Sequence, residues 1–205
     1  MLSLHKSILA MSFCAAVFSA ANAEAATPTS ENGSKTSTAD PNNIVIMELK
    51  SGTVTIELYP KSAPEHVNRI RTLVQQGFYD GVVFHRVIDG FMVQTGDPTG
   101  TGMGGSSLPN LKAEFNNTHH SKGVVSMARS ADPNSANSQF FIMLGDAPHL
   151  DGQYTAFGKV ISGMEYVDQI KKGSTANNGK VENPDKIISM KILSDTTTAS
   201  SKGTK

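Results

Sequence analysis

The chain has 205 residues, 18 basic and 18 acidic side chains, and an apolar share of 38%. That length suits one domain with tails, and the apolar share is enough to fill one core. The even charge balance argues against the basic footprint of a nucleic-acid binder, and no apolar run is long enough to span a bilayer as a helix.

In chain order, residues 1–23 read as a signal peptide. Lys6 supplies a positive start, Ile8 to Phe18 an apolar stretch, and Ala21-Asn22-Ala23 a small-residue cleavage site. A mature chain is expected to begin near Glu24. The only cysteine, Cys14, lies inside this segment behind Phe13, a poor context for a lipid acceptor. The mature chain would then carry no thiol for a disulfide, a thiolate nucleophile or a metal. Residues 24–43 hold no large apolar side chain and read as a disordered linker. The globular domain is expected over 44–193, followed by a flexible tail over 194–205.

Inside the domain, Ser51-Gly52 reads as a hairpin turn leading into a strand in which Val54, Ile56 and Leu58 alternate with polar residues. Ser62-Ala63-Pro64-Glu65 has the form of a capping box. Val67, Ile70 and Val74 then follow at helical spacing and Gly77 is a stop, with His66 expected on the surface. Val82 to Ile88 and Phe91 to Thr95 read as strands around a turn at Asp89-Gly90. Gly123 to Ala128, Gln139 to Leu144, Ala156 to Ile161 and Ile188 to Ile192 are further strands. Ser162-Gly163-Met164-Glu165 repeats the capping-box form ahead of Val167, Ile170, Lys171, Lys172 and Gly173, a second helix. Many short strands with two helices point to a mainly β fold, a barrel or a sandwich.

Two motifs invite chemical readings that their surroundings oppose. Gly100 to Gly105 fits G-x-G-x-x-G, but Pro109 follows where a dinucleotide site needs a helix, so a tight glycine loop is expected. His119-His120 has no accompanying cluster of carboxylates or cysteines and reads as a solvated loop, not a metal site. No Ser-His-Asp arrangement is legible. Arg86, in the middle of the apolar run Phe84 to Ile88, is different: a cation there needs a partner or a cleft.

The segments FHRVIDGFMVQTGDPTGTGMGG, NSQFFIML and HLDGQYTAFGKV resemble the signature stretches of the cyclophilin family of peptidyl-prolyl cis/trans isomerases, and the likeness runs from about Ile44 to Leu193. It implies a closed eight-stranded antiparallel β-barrel capped by two α-helices. It implies that Arg86 is catalytic and that Gln94 orients it. Phe91, Met92, Phe141 and Leu150 would wall a proline pocket. Ala128, Arg129 and Ser130 would pair with the peptide backbone, and His85, Gln139, His149 and Tyr154 would complete the substrate site. Many members carry Trp at the place of His149, His at that of Tyr154 and Asn at that of Arg129, so inhibitor affinity and flanking-residue preference are where this chain would differ. An ideal two-residue turn at Asp89-Gly90 would pair Arg86 with Val93 and turn Gln94 to the other face, so a bend or bulge is needed there. The expected activity is rotation of X-Pro bonds in exported or folding polypeptides. The alternative is a non-catalytic, chaperone-like binder of X-Pro segments. No metal or cofactor is expected. Partners would be proline-containing polypeptides, with weak cyclosporin binding, no nucleic acid and no stable membrane association after cleavage. The protein is expected as a monomer in a bacterial periplasm.

Overall fold

The computed structural model describes residues 40–196; the stretch read as a signal peptide and most of the expected linker and tail lie outside them. Eight strands form one antiparallel sheet: β1 (Ile44–Leu49), β2 (Gly52–Leu58), β3 (Arg86–Ile88), β4 (Met92–Thr95), β5 (Val124–Met127), β6 (Phe140–Met143), β7 (Ala156–Ser162) and β8 (Ile187–Ile192). Their spatial order is β3-β4-β6-β5-β7-β2-β1-β8. Register breaks at Glu48/Leu49, Thr55/Ile56 and Val125/Ser126 curl it, as bulges do. The expected strand from Val82 is shorter than its apolar run, because 81–84 leaves the sheet. Phe84 N donates to Asp185 O at 2.9 Å, and Ile187 N to Val82 O at 2.9 Å, so irregular backbone links the two outer strands.

The curl gives the sheet an inner and an outer face. Phe140 and Ile142 point into the main core with Val45, Ile56, Phe84 and Phe157, where helix α1 (Pro64–Gln75) adds Val67, Ile70 and Leu73. Phe141 and Met143, one residue on, join a smaller outer cluster with Met92, Val124 and Leu150. Alternation along a strand therefore buries both faces of β6 and dedicates the outer one to a cleft.

Several local expectations are corrected. The first hairpin turns at Lys50-Ser51, with Leu49 opposite Gly52, one residue earlier than expected. Ser62 does not cap α1: the cap position is Ala63, and Glu114 takes the role from 48 and 49 residues away, accepting from Glu65 N and His66 N at 3.1 Å each. His66 is accordingly buried, not on the surface, with Nδ1 2.6 Å from Glu114 Oε2. The Gly77 stop holds: at φ +66 it closes the helix with Gly77 N on Val74 O and Phe78 N on Leu73 O. Helix α2 (Met164–Asp168) begins at Gly163 with no side-chain cap, since Ser162 still belongs to β7. Gly163 has φ +83, and a Cβ there would lie 2.3 Å from Thr53 O, so close backbone approach decides that residue. Lys171 and Lys172 fall beyond the short helix. The linker's last residues form a 3-10 turn, Pro41–Asn43, capped by Asp40, and residues 193–196 are helical where the tail was expected to begin.

Candidate active site

One cross-strand row builds the site. Arg86 of β3 pairs with Gln94 of β4, Gln94 with Phe141 of β6, Phe141 with Ser126 of β5, and Ser126 with Ala156 of β7. The β3–β4 loop explains the first pairing. It has three residues, Asp89-Gly90-Phe91, with Ile88 opposite Met92, Phe91 N on Ile88 O at 3.0 Å and Gly90 at φ +68. An odd loop puts Arg86 and Gln94 on the same face, so no bulge is needed, contrary to the two-residue expectation.

Arg86 is half-buried and held on three sides. Its Nη1 donates to Gln94 Oε1 at 3.2 Å, its Nε to Asn178 O at 3.0 Å and its Nη2 to Asn178 Oδ1 at 2.9 Å. Burial lowers its proton affinity from the arginine range, with Tyr154 acting the other way, and a guanidinium stays charged. Gln94 is fixed in turn: its Nε2 donates to Gln139 Oε1 at 2.9 Å, and Gln139 Nε2 donates to Gly102 O and Gly104 O at 3.0 and 2.8 Å. The glycine loop thus backs the arginine through two amides. It wraps the buried carboxylate of Asp97, which accepts from Gly102 N at 2.6 Å, Gly104 N at 3.1 Å, and Thr99 N and Oγ1 at 2.8 Å each. Burial alone would raise Asp97, but these hydrogen bonds outweigh it and hold the carboxyl at about 2.

A cavity of about 360 Å³ opens beside Arg86, and each residue lining it is one the sequence singles out: Arg86, Phe91, Met92, Gln94, Ala128, Arg129, Phe141, His149, Leu150 and Tyr154. Ser130 and Gln139 line an adjoining cavity of about 500 Å³. His85 lines neither. As the neighbour of Arg86 on an extended chain it points to the opposite face, buried with its ring against Gly102. His149 stacks on Phe91 with centroids 5.9 Å apart. Tyr154 meets Phe141 edge-on at 5.6 Å and carries the Arg129 guanidinium 4.6 Å above its ring.

Two features escape sequence reasoning. Asn178 lies 92 residues beyond Arg86 and sits at φ +53; the run Asn177-Asn178-Gly179 signals a turn, but nothing local links it to the arginine. Behind Phe141, His120 is buried, not solvated. Its Nδ1 is 2.8 Å from Asp151 Oδ1, its Nε2 2.8 Å from Ser126 Oγ, and its ring stacks on Phe141 at 6.3 Å. This is the serial order of a hydrolase triad, but Ser126 and His120 are buried and no acyl group can reach the hydroxyl. The trio braces Phe141 instead. His119, half exposed, reaches Asp151 and Asp146, and both carboxylates raise its proton affinity. Among the described residues no group of three or more His, Cys, Asp or Glu is placed to hold a metal.

An open groove walled by Phe91, Met92, Phe141 and Leu150 and flanked by a fixed cation, on the outer face of a curled antiparallel sheet, defines a mainly β protein with a cleft sized for a small group. Residues 44–192 match the family described as cyclophilin type peptidyl-prolyl cis-trans isomerase/CLD. A protein of Brucella suis named "Probable peptidyl-prolyl cis-trans isomerase" is 56% identical over 171 residues, covering 78% of this chain and 87% of that one. A "Peptidyl-prolyl cis-trans isomerase-like 1" of Aspergillus fumigatus is 43% identical over 155 residues, covering 74% and 96%. Among solved structures, a cyclophilin from Hirschia baltica matches with TM-score 0.69 and 32% identity over 77% of this chain and 76% of the other. A Cryptosporidium parvum cyclophilin type isomerase determined with the dipeptide Ala-Pro matches with TM-score 0.67 and 31% identity, over 73% and 98%. The chain belongs to the cyclophilin-type peptidyl-prolyl cis-trans isomerases and is an isomerase.

Proposed function

We propose that this chain speeds X-Pro rotation by donating a hydrogen bond from Arg86 to the prolyl nitrogen while the amide is twisted. The observation that carries this is the guanidinium held by Gln94 and Asn178 at the mouth of an apolar cavity. Rotation about the peptide bond meets a barrier near 20 kcal/mol because it breaks amide conjugation. In the twisted form the nitrogen regains a lone pair and can accept. Moving exchange from tens of seconds to milliseconds needs roughly 10⁴-fold, about 5.5 kcal/mol. A charged hydrogen bond contributes about 1.5–3 kcal/mol. The rest is assigned to a preorganised, dry pocket of Phe91, Met92, Phe141 and Leu150 that fits the twisted form better than either planar isomer. No bond is made or broken.

That the Cryptosporidium relative was crystallised in the presence of the dipeptide Ala-Pro supports a proline residue as the group this cavity takes. The signal-peptide pattern of residues 1–23 supports action on exported chains, in a periplasm. The backbone links between 81–84 and 185–187 support reading the sheet as a closed barrel, a stiff platform for the row. The test is exchange NMR on an Ala-Ala-Pro-Phe peptide. Wild type should turn it over, Arg86→Ala should lose about 10- to 100-fold in kcat/KM, and Arg86→Lys should also lose most of it, since a point charge does not reproduce the planar fork. Binding of the peptide without turnover would leave only the chaperone-like reading.

A further inference from the structure

The two cavities meet along Gln94, Ala128 and Arg129, the residues that line both. No acidic residue lines either one. Their only Lys or Arg side chains are Arg86 and Arg129, although the whole chain is neutral. Arg86 is engaged by Gln94 and Asn178. Arg129 is engaged differently. Its Nε and Nη2 donate to Gln153 O at 3.2 and 3.0 Å, its Nη1 to Ser130 O at 2.9 Å and Ala131 O at 3.5 Å. All these partners are backbone carbonyls, so the cation is fixed but not neutralised. Among the described residues no carboxylate forms an ion pair with it. Asp132, the acid nearest in sequence, is turned to Asn134 N at 2.9 Å. The guanidinium carbon sits 4.6 Å over the Tyr154 ring, itself braced by Phe141, and its five N–H groups leave at least one Nη2 donor open.

We propose that Arg129 makes this cleft select proline segments with a carboxylate on a residue next to the proline. With proline in the first cavity, the neighbouring residue runs toward the junction where Arg129 sits. A Glu or Asp side chain there meets a half-buried, preoriented and unpaired cation; a Lys meets repulsion from Arg129 and Arg86 together. Holding the guanidinium in place beforehand removes the ordering cost that weakens ordinary surface pairs. The inference rests on the isomerase reading above.

The test measures kcat/KM by exchange NMR for peptides with Glu, Gln or Lys placed before the proline, and for a second set with the same residues after it. At low salt, Glu over Lys is expected to be about fivefold in one of the two sets, the size of one partly screened ion pair. That ratio should shrink toward one in 0.5 M NaCl. It should collapse in Arg129→Gln and reverse in Arg129→Glu, whatever either variant does to the overall rate. A wild type that turns over Ala-Ala-Pro-Phe but shows no Glu preference in either set overturns this inference alone. So does a preference that persists unchanged in Arg129→Gln. A chain inactive on Ala-Ala-Pro-Phe overturns the isomerase reading and this inference with it.

Discussion

Asn178 makes two of the hydrogen bonds on the Arg86 guanidinium, one through its carbonyl and one through its side chain. Its left-handed backbone, φ +53, is what lets both oxygens face the same fork. Asn178→Gly keeps that backbone and the carbonyl but removes Oδ1. One lost hydrogen bond, about 1 kcal/mol, should lower kcat about fivefold and leave KM and the melting temperature nearly unchanged. Asn178→Asp should be slower still, because a carboxylate would pair with the guanidinium and compete with the twisted amide. Exchange NMR across a peptide titration separates kcat from KM, and wild-type kcat in both variants would remove Asn178 from the mechanism. At the other rim, exposed His149 stands where the resemblance to the cyclophilin family implies Trp in many members. His149→Trp adds apolar area over Phe91, some tens of Å² at about 25 cal/mol each, plus an N–H donor. Cyclosporin inhibition should strengthen by about 10- to 100-fold, with much less change in turnover; equal inhibition curves would show that this position does not set sensitivity.

At the scale of elements, the row Arg86-Gln94-Phe141-Ser126 depends on what stands behind it. His120 is hydrogen-bonded through both ring nitrogens and buried under Phe141. His120→Ala would open a void and leave the buried Ser126 hydroxyl without its ring partner, while Asp151 keeps the residue-120 N–H and His119, at about 2–4 kcal/mol. For a domain of this size that is roughly 5–15 °C in melting temperature. KM should rise as Phe141 loses its support, and a thermal melt beside a peptide titration checks both. The same elements show what a sequence can reveal. The pocket walls were legible because they come in contiguous motifs, and the Gly77 stop because its hydrogen bonds close within five residues. The cap on α1 was not, because its donor groups bind Glu114, 48 and 49 residues on. His66 and His120 were misplaced at the surface for the same reason: a histidine's burial is decided by partners the chain brings in from far away. The β3–β4 loop was off by one residue, and with period-two alternation one residue is enough to turn a side chain over. Asn178 joins Arg86 only through tertiary contact, so neither residue's neighbours announce the other.

For the whole molecule, the buried ionisable groups set how stability follows pH. Asp97 has its carboxyl at about 2 against an ordinary 3.8. Its ionised form is favoured by folding, so its contribution is complete above pH 3.8, about 2 kcal/mol, and is lost as pH falls toward 2. Glu114 would be raised by burial, but the His66 ring and the amides of His66 and Glu65 outweigh that and lower it, so it too stabilises above its ordinary 4.5 and less below. His66 is lowered because burial exceeds the pull of Glu114. The unfolded chain then takes up a proton near pH 6.5 that the native one refuses, and stability declines as pH drops below that point. His119 works the other way: raised by Asp151 and Asp146, it favours the folded state at pH below 6.5 and loses that as pH rises through its folded value, but it is exposed and screened. Burial lowers His85 as it does His66, and hydrogen bonds from His119 and His120 lower Asp151, so five lowered groups against the one raised His119 predict urea midpoints that climb steadily from pH 2.5 to 7.5. Asp97→Asn identifies the acid part of the slope. The amide cannot ionise, and its NH₂ would face either Thr99 N or the two amides of Gly102 and Gly104, so the variant should be less stable at pH 7 by about 2 kcal/mol or more. Between pH 4 and 2 its stability should fall less steeply than that of wild type, because the titrating group is gone. Parallel pH profiles for the two proteins would show that the glycine-loop cradle does not hold Asp97 in its ionised form.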